Sequence, residues 1–398
     1  MASAAPAAPH LAPGRRPRVA IVGAAESDYG RCPGRTELDL HAEAAERALA
    51  QAGIAKAEVD GLFTLTQQFL RCPSLTVGEY LGIRPTYQDC THVGGASFEV
   101  MVEHALAALV AGRCRVALIT YGSTQLSSAG RNLGVEFAPI SPIAQQYEEP
   151  YGLSLVAAHA LAAQRHMHLY GTTSAQLAEI AVTMRRHAGL NPLARYRDPI
   201  TIDDVLASRM IASPLHKLDC CVVTDGGGAL VLTLEDRARD TAEVPVWVLG
   251  AAHASSHLHI IDMPDLTQTA AADTGPRAMA EAGIGPGDVD LLLAYDSFTI
   301  TALLALEDLG FCAKGEGGAF VEDGRIGLGG ALPMNPDGGA LSSNHPGMRG
   351  IFLLIEAVRQ LRGQGGPRQV EGAEIAVAHG VGGWLSSHGT VVLGKSPS

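Results

Sequence analysis

The sequence predicts an α/β protein built from two similar halves, and three observations carry that reading. Arg47-Ala-Leu-Ala-Gln-Ala-Gly-Ile54 returns as Arg277-Ala-Met-Ala-Glu-Ala-Gly-Ile284, and Val59-Asp60 returns as Val289-Asp290, at a constant offset of 230 residues. A period this long is no solenoid repeat, so it marks two copies of one α/β unit. After each copy the same order follows: a glycine-rich turn, a helix and an apolar strand. In the first half these are Gly94-Gly95, a helix running to Ala111-Gly112, and Val116–Ile119. In the second they are His345-Pro346-Gly347, a helix ending near Leu361-Arg-Gly363, and Ile375–Ala378. Finally, 398 residues with 47% hydrophobic and 18% charged side chains are enough for a sizeable core.

Taken in order, the chain opens with an apolar strand, Val19–Val22, ending at Gly23. A helix spans Leu38–Ala52 and stops at Gly53, and a second apolar run stands at Leu62-Phe63. A long insertion, Ser123–Asp240, separates the halves. It carries helical stretches at Tyr151–Tyr170 and Ser174–His187, a polar loop from Leu190 to Asp203, and a strand pair at Cys220–Val223 and Ala229–Leu232. The expected division is a disordered tail at 1–17, one half at 18–122 and 225–250, a loop domain at 123–224, and the second half at 251–398. In a duplicated fold the equivalent helices meet at a pseudo-twofold axis, which brings the Gly95 and His345 turns to one cleft. Helix N-termini there offer unpaired N–H groups and partial positive charge, suited to a developing oxyanion.

Composition removes several functions. A net charge of −12 with no lysine or arginine run gives no footprint for nucleic acid. Lysine occurs only at Lys56, Lys217, Lys314 and Lys395, so arginine, which suits phosphates, carries most positive charge. The seven cysteines are odd in number and form no C-x-x-C pair, which points to a reducing compartment. No apolar run approaches the ~18 residues that would span a membrane. The Ala- and Pro-rich start, with Arg15 and Arg16, lacks the apolar core of a signal peptide, so a soluble cytoplasmic protein is expected. The histidine clusters His166/His168 and His253/His257/His259 lack carboxylates at ligand spacing, and no metal is expected.

Asn191-Pro-Leu-Ala-Arg-Tyr, Val205–Ile211, Pro214-Leu215, Leu218–Gly226, Asn335-Pro-Asp-Gly-Gly339 and Ser343-Asn-His-Pro-Gly347 occur in an order that closely resembles the sterol-carrier-protein-type thiolases and their thiolase-like relatives. The resemblance runs from Val19 to Lys395. It implies a thiolase fold of two pseudo-symmetric α/β halves, layered αβαβα, with an inserted loop domain, CoA-thioester substrates and usually a homodimer. It also implies a possible small OB-fold partner with a zinc ribbon. No tightly bound cofactor is implied, with coenzyme A entering as part of the substrate.

The departures from that family carry the chemistry. Where the family places its nucleophilic cysteine, this chain has Gly95. Ser97 is a substitute nucleophile or, the reading preferred, a helix-start hydroxyl serving backbone N–H groups. At Tyr295-Asp-Ser-Phe298 the resemblance implies a catalytic histidine and cysteine at positions held here by Tyr295 and Ser297. A serine hydroxyl is too weak an acid to replace a thiol of pKa near ~8.5. The remaining candidates are Tyr295, His345 and His379 as proton handlers, with Gly95, Ser97, Asn344 and Ser297 lining an oxyanion and substrate site. Tyr295 could instead be an aromatic packed at a strand end, and His379 a structural histidine. Without a nucleophile, the expected reaction is retro-aldol cleavage of a β-hydroxyacyl-CoA, as in the thiolase-like aldolases of steroid side-chain breakdown. Those carry a second tyrosine where this chain keeps His345. The alternatives are an acyltransferase, or a silent subunit that scaffolds a partner.

Overall fold

Val19–Glu26 forms strand β1, buried at every position but the last. It begins a computed structural model that describes residues 18–65, 72–128, 130 and 142–397, so the expected tail at 1–17 lies outside the described residues. The further strands are β2 (Gly61–Thr64), β3 (Tyr87–Asp89), β4 (Val116–Ser123), β5 (Met210–Ala212), β6 (Leu215–His216), β7 (Gly226–Leu234), β8 (Val246–Ser255), β9 (Leu291–Ala294), β10 (Ile375–Gly382) and β11 (Ser387–Gly394). β5 and β6 pair by themselves, while the other nine form one sheet in the order β3-β2-β4-β7-β1-β8-β11-β10-β9. From its middle outward this order is a palindrome. β1, β7, β4 and β2 on one side answer β8, β11, β10 and β9 on the other. The joint is short, since β1 and β8 pair antiparallel only through Val19–Ile21 and Val246–Val248.

The helices that position the site are α1 (Glu37–Ala52), α2 (Ser97–Val110), α3 (Leu155–Tyr170), α4 (Ser174–Leu190), α5 (Ala271–Ala282), α6 (Thr299–Asp308) and α7 (Gly350–Leu361). α1 packs on β1, β7 and β4, and α5 packs on β8 and β11. Between the two half-sheets lie α2 and α7, which touch each other and strands of both halves. The result is the αβαβα layering of the thiolase fold.

The repeat has a physical basis. Gly53 and Gly283, with φ of 67° and 73°, end α1 and α5 in the left-handed conformation that glycine adopts without steric cost. Gly23 in β1 and Gly250 in β8 mark the closest approach of each outer helix. A Cβ at Gly23 would collide with the Ala48 carbonyl, and one at Gly250 with that of Ala278.

Several expectations need correction. Gly23 does not end β1, because the strand continues to Glu26 past an irregularity between Ile21 and Gly23. Cys220–Val223 is not a strand, and Ala229–Leu232 lies within β7, which pairs with β4 and β1. α7 starts at Gly350, not at the His345 turn. His379 lies inside β10, with β11 still to come. The expected 250/251 boundary falls inside β8. The insertion contributes α3, α4 and the β5–β6 pair, and it is stitched to the second half where the N–H groups of Arg195 and Tyr196 donate to the carbonyls of Ser343 and Ser342. Among the described residues no helix is long and apolar enough to cross a membrane.

Candidate active site

Tyr295 directly follows β9. Its N–H donates to the carbonyl of His379 in the adjacent β10 at 3.0 Å, which fixes the backbone from which the phenol projects. His345 comes from the loop before α7, where its N–H donates to Thr224 Oγ1 at 3.1 Å. The two side chains meet, with Tyr295 Oη 2.8 Å from His345 Nε2. Both are almost fully buried, at 5% and 4% exposure.

Gly95 closes this arrangement from the first half. A Cβ there would lie 2.7 Å from both Cε2 and Cζ of Tyr295 and 2.5 Å from the carbonyl oxygen of Val381. The phenol ring thus occupies the space into which a side chain at 95 would project. The Gly95 turn and the His345 loop meet in one place, as the repeat implies.

Electrostatics fix the protonation of the pair. Burial drives the His345 imidazole down to about 3, helped by the positive charge of Arg349, so the ring is neutral at physiological pH. Burial pushes the Tyr295 phenol well above its usual range, against a downward pull from the Arg349 charge and from the Arg349 backbone N–H that faces it. Both groups therefore rest neutral. In the tautomer that leaves Nε2 bare, the Tyr295 O–H donates to it. His345 then carries its own proton on Nδ1, which has no partner among the described residues.

The other candidates fall at different distances from this centre. Ser97 is fully buried, accepts from the Val93 N–H at 2.9 Å and donates to the Gly94 carbonyl at 2.6 Å, so its hydroxyl is turned back into the loop. Ser297 Oγ lies 3.4 Å from Thr301 Oγ1. Asn344 turns its side-chain oxygen to the Arg349 guanidinium. His379 accepts from Thr390 Oγ1 through Nδ1 at 2.8 Å and faces His388 Nδ1 through Nε2 at 3.2 Å, so both ring nitrogens are engaged. It still lines a small cavity beside the Tyr295 ring, together with Thr269, Thr301, Leu304 and Val381.

Sequence reasoning missed four neighbours. The Tyr121 hydroxyl donates to the Pro346 carbonyl and so holds the residue after His345. Asp296 takes the N–H groups of Ala340 and Leu341, and burial raises its carboxyl to about 7. Arg349 is completely buried. Glu99 is a buried carboxyl with neither oxygen hydrogen-bonded. Only Asp296 carried a signal, by adjoining Tyr295. The histidine clusters also gain carboxylates from distant sequence: His166 meets Glu307, His253 meets Glu103, and His259 meets Glu148. Among the described residues no three potential metal ligands gather.

A family profile described as Thiolase C-terminal domain-like matches residues 252–395. The acetyl-CoA acetyltransferase of Methanothermobacter thermautotrophicus is 34% identical over 92% of this chain and 96% of its own. The 17-hydroxy-3-oxo-4-pregnene-20-carboxyl-CoA lyase of Mycobacterium tuberculosis is 38% identical over 87% of this chain and 92% of its own. A solved structure described as an Ltp2-ChsH2(DUF35) aldolase superposes with a TM-score of 0.87 at 33% identity, covering 95% of this chain and 97% of that one. A layered fold with a side-chain-free turn facing a tyrosine–histidine pair thus fits a thiolase-like protein that has no side chain at residue 95. The chain belongs to the thiolase superfamily, in its sterol-carrier-protein-type branch, since sterol carrier protein 2 of Oryctolagus cuniculus is 30% identical over 92% of this chain and 70% of its own.

Proposed function

We propose that the chain is an acyl-CoA aldolase that cleaves a β-hydroxyacyl-CoA into a ketone or aldehyde and a shorter acyl-CoA. The carrying observation is the Tyr295–His345 hydrogen bond set against Gly95. Acyl transfer through a covalent intermediate needs a nucleophilic side chain, which Gly95 lacks, whereas retro-aldol cleavage needs only a group that takes a proton and returns it. In this reading Tyr295 accepts the substrate β-hydroxyl proton as its own passes to His345 Nε2. The Cα–Cβ bond then breaks, its electron pair enters the thioester enolate, and the carbonyl product forms. The proton returns through Tyr295 to Cα. Backbone N–H groups at the start of α2 are assigned to the thioester oxygen, and His345 supports the enolate.

Two relatives frame the choice of reaction, one named as an acetyltransferase and one as a CoA lyase. The pair at Tyr295 and His345 favours the lyase. The proposal extends to a homodimer in the cytoplasm and to a small OB-fold and zinc-ribbon partner; of these, a partner protein is supported by the aldolase neighbour, which pairs Ltp2 with ChsH2(DUF35). Assaying the purified chain with and without such a partner tests that extension.

Tyr295→Phe tests the mechanism, because it keeps the ring that fills the space at Gly95 and removes only the hydroxyl. Release of carbonyl product from a β-hydroxyacyl-CoA should fall roughly 10²–10⁴-fold. The melt should shift by no more than about 1 kcal/mol, one neutral hydrogen bond. Near-normal turnover would remove Tyr295 from the chemistry.

A further inference from the structure

Among the described residues Arg349 is the largest side chain with no exposure, and it precedes the first residue of α7. A buried guanidinium is costly unless several partners engage it. Its Nη2 pairs with Asp337 at 2.5 Å. Nη1 donates to the Asn344 carbonyl at 3.1 Å and also to the Asn344 side-chain oxygen. Nε lies 4.0 Å from Asp296 and makes no hydrogen bond. Asn344 and Asp296 are the chain neighbours of His345 and Tyr295. One planar group therefore contacts the segment that carries His345 and borders the segment that carries Tyr295.

We propose that Arg349 positions the Tyr295–His345 pair, its fork setting the distance between the two segments that carry them. This rests on the aldolase reading above. Arg349 touches no reacting atom in that reading, so it is a positioning residue and not a catalytic one. Its role follows from geometry that a lysine can reproduce only in part, since an ammonium supplies charge without the planar fork. Its charge also acts on the pair. Of the other titratable groups in reach, Asp296, Asp337 and Tyr29 act on Arg349 itself, and Tyr121 and Cys221 act on Tyr295.

The test compares Arg349→Lys with Arg349→Met/Asp337→Leu in the full chain, with Tyr295→Phe alongside. The double variant removes the ion pair as a unit, a change that is often neutral for stability. With folding verified by melt, its kcat should fall about 100-fold, as for a ~1 Å misplacement, with KM for the β-hydroxyacyl-CoA almost unchanged. Arg349→Lys should recover part of that loss. A folded double variant with wild-type kcat, a loss confined to KM, or no recovery with lysine would each overturn the proposal. If the double variant does not fold, Asp337→Asn replaces it. That variant should lower kcat about tenfold at constant KM, and wild-type kcat would overturn the proposal equally. Near-normal turnover by Tyr295→Phe would instead strike at the aldolase site itself, so the two failures can be told apart.

Discussion

Around Glu99 three glycines leave the room its carboxyl occupies: a Cβ at Gly350, Gly380 or Gly389 would collide with the Glu99 side chain. Burial raises this acid to about 8, so the folded chain keeps a proton that the unfolded chain releases near pH ~4.3. Between those values the native state binds more protons, and stability falls as pH rises through the window. Glu99→Gln should abolish that slope. Its melting temperature should exceed that of the wild type at pH 8, with the gap closing toward pH 5, and parallel melts across this range check it. Gly95→Ala is expected to act on chemistry instead. The added methyl meets the Tyr295 ring and the Val381 carbonyl, so about 1–3 kcal/mol of overpacking is expected. Turnover should fall about 100-fold through displacement of the phenol, read by carbonyl release. Tyr295, His345 and Gly95 were legible in the sequence because they stand in motifs next to a buried strand and glycine turns. Arg349 and Glu99 were not, since only the three-dimensional packing shows an arginine and a carboxyl without solvent.

Individual elements tell a similar story. The repeat was readable because its signals are local, an alanine-rich helix closed by Gly53 or Gly283 and a four-residue strand beyond it. Cys220–Val223 misled because its apolar character matches a strand. Its backbone is satisfied otherwise: Cys221 donates to Ser297, Val222 to Ala340 and Thr224 to His345, three separate segments in place of one ladder. This strap runs past both catalytic candidates and ties the insertion to them. The start of α7 was placed too early because a proline–glycine turn resembles a helix entrance, whereas His345 to Arg349 is irregular chain, bent at Pro346 and Gly347 and used for contacts. The matched glycines offer a test at this scale. Gly23→Ala and Gly250→Ala should each lower stability by about 1–3 kcal/mol through the same helix–strand collision, measured by denaturant unfolding. Unequal costs would mean that the halves pack their outer helices differently.

For the molecule as a whole, the absence of any side chain at residue 95 predicts that acetyl-CoA leaves no mark. Intact-mass measurement after incubation should show unmodified protein. A stable acetyl adduct on exposed Cys90 or on Ser97 would restore the acyltransferase reading. The meeting of two turns followed from the duplication, and the αβαβα layering from the resemblance to the thiolases. The three-residue β1–β8 joint that makes the halves one continuous sheet did not, because cross-strand pairing between distant segments leaves no periodicity in either. The symmetry of the frame conceals an uneven division. The first half brings to the candidate site a bare stretch of main chain at Gly95, while Tyr295, His345 and Arg349 all come from the second. A chimera should therefore inherit its reaction from whichever parent donates the second half from β8 onward, provided the other parent supplies a glycine at the facing turn. The two halves are alike as architecture and not interchangeable as chemistry.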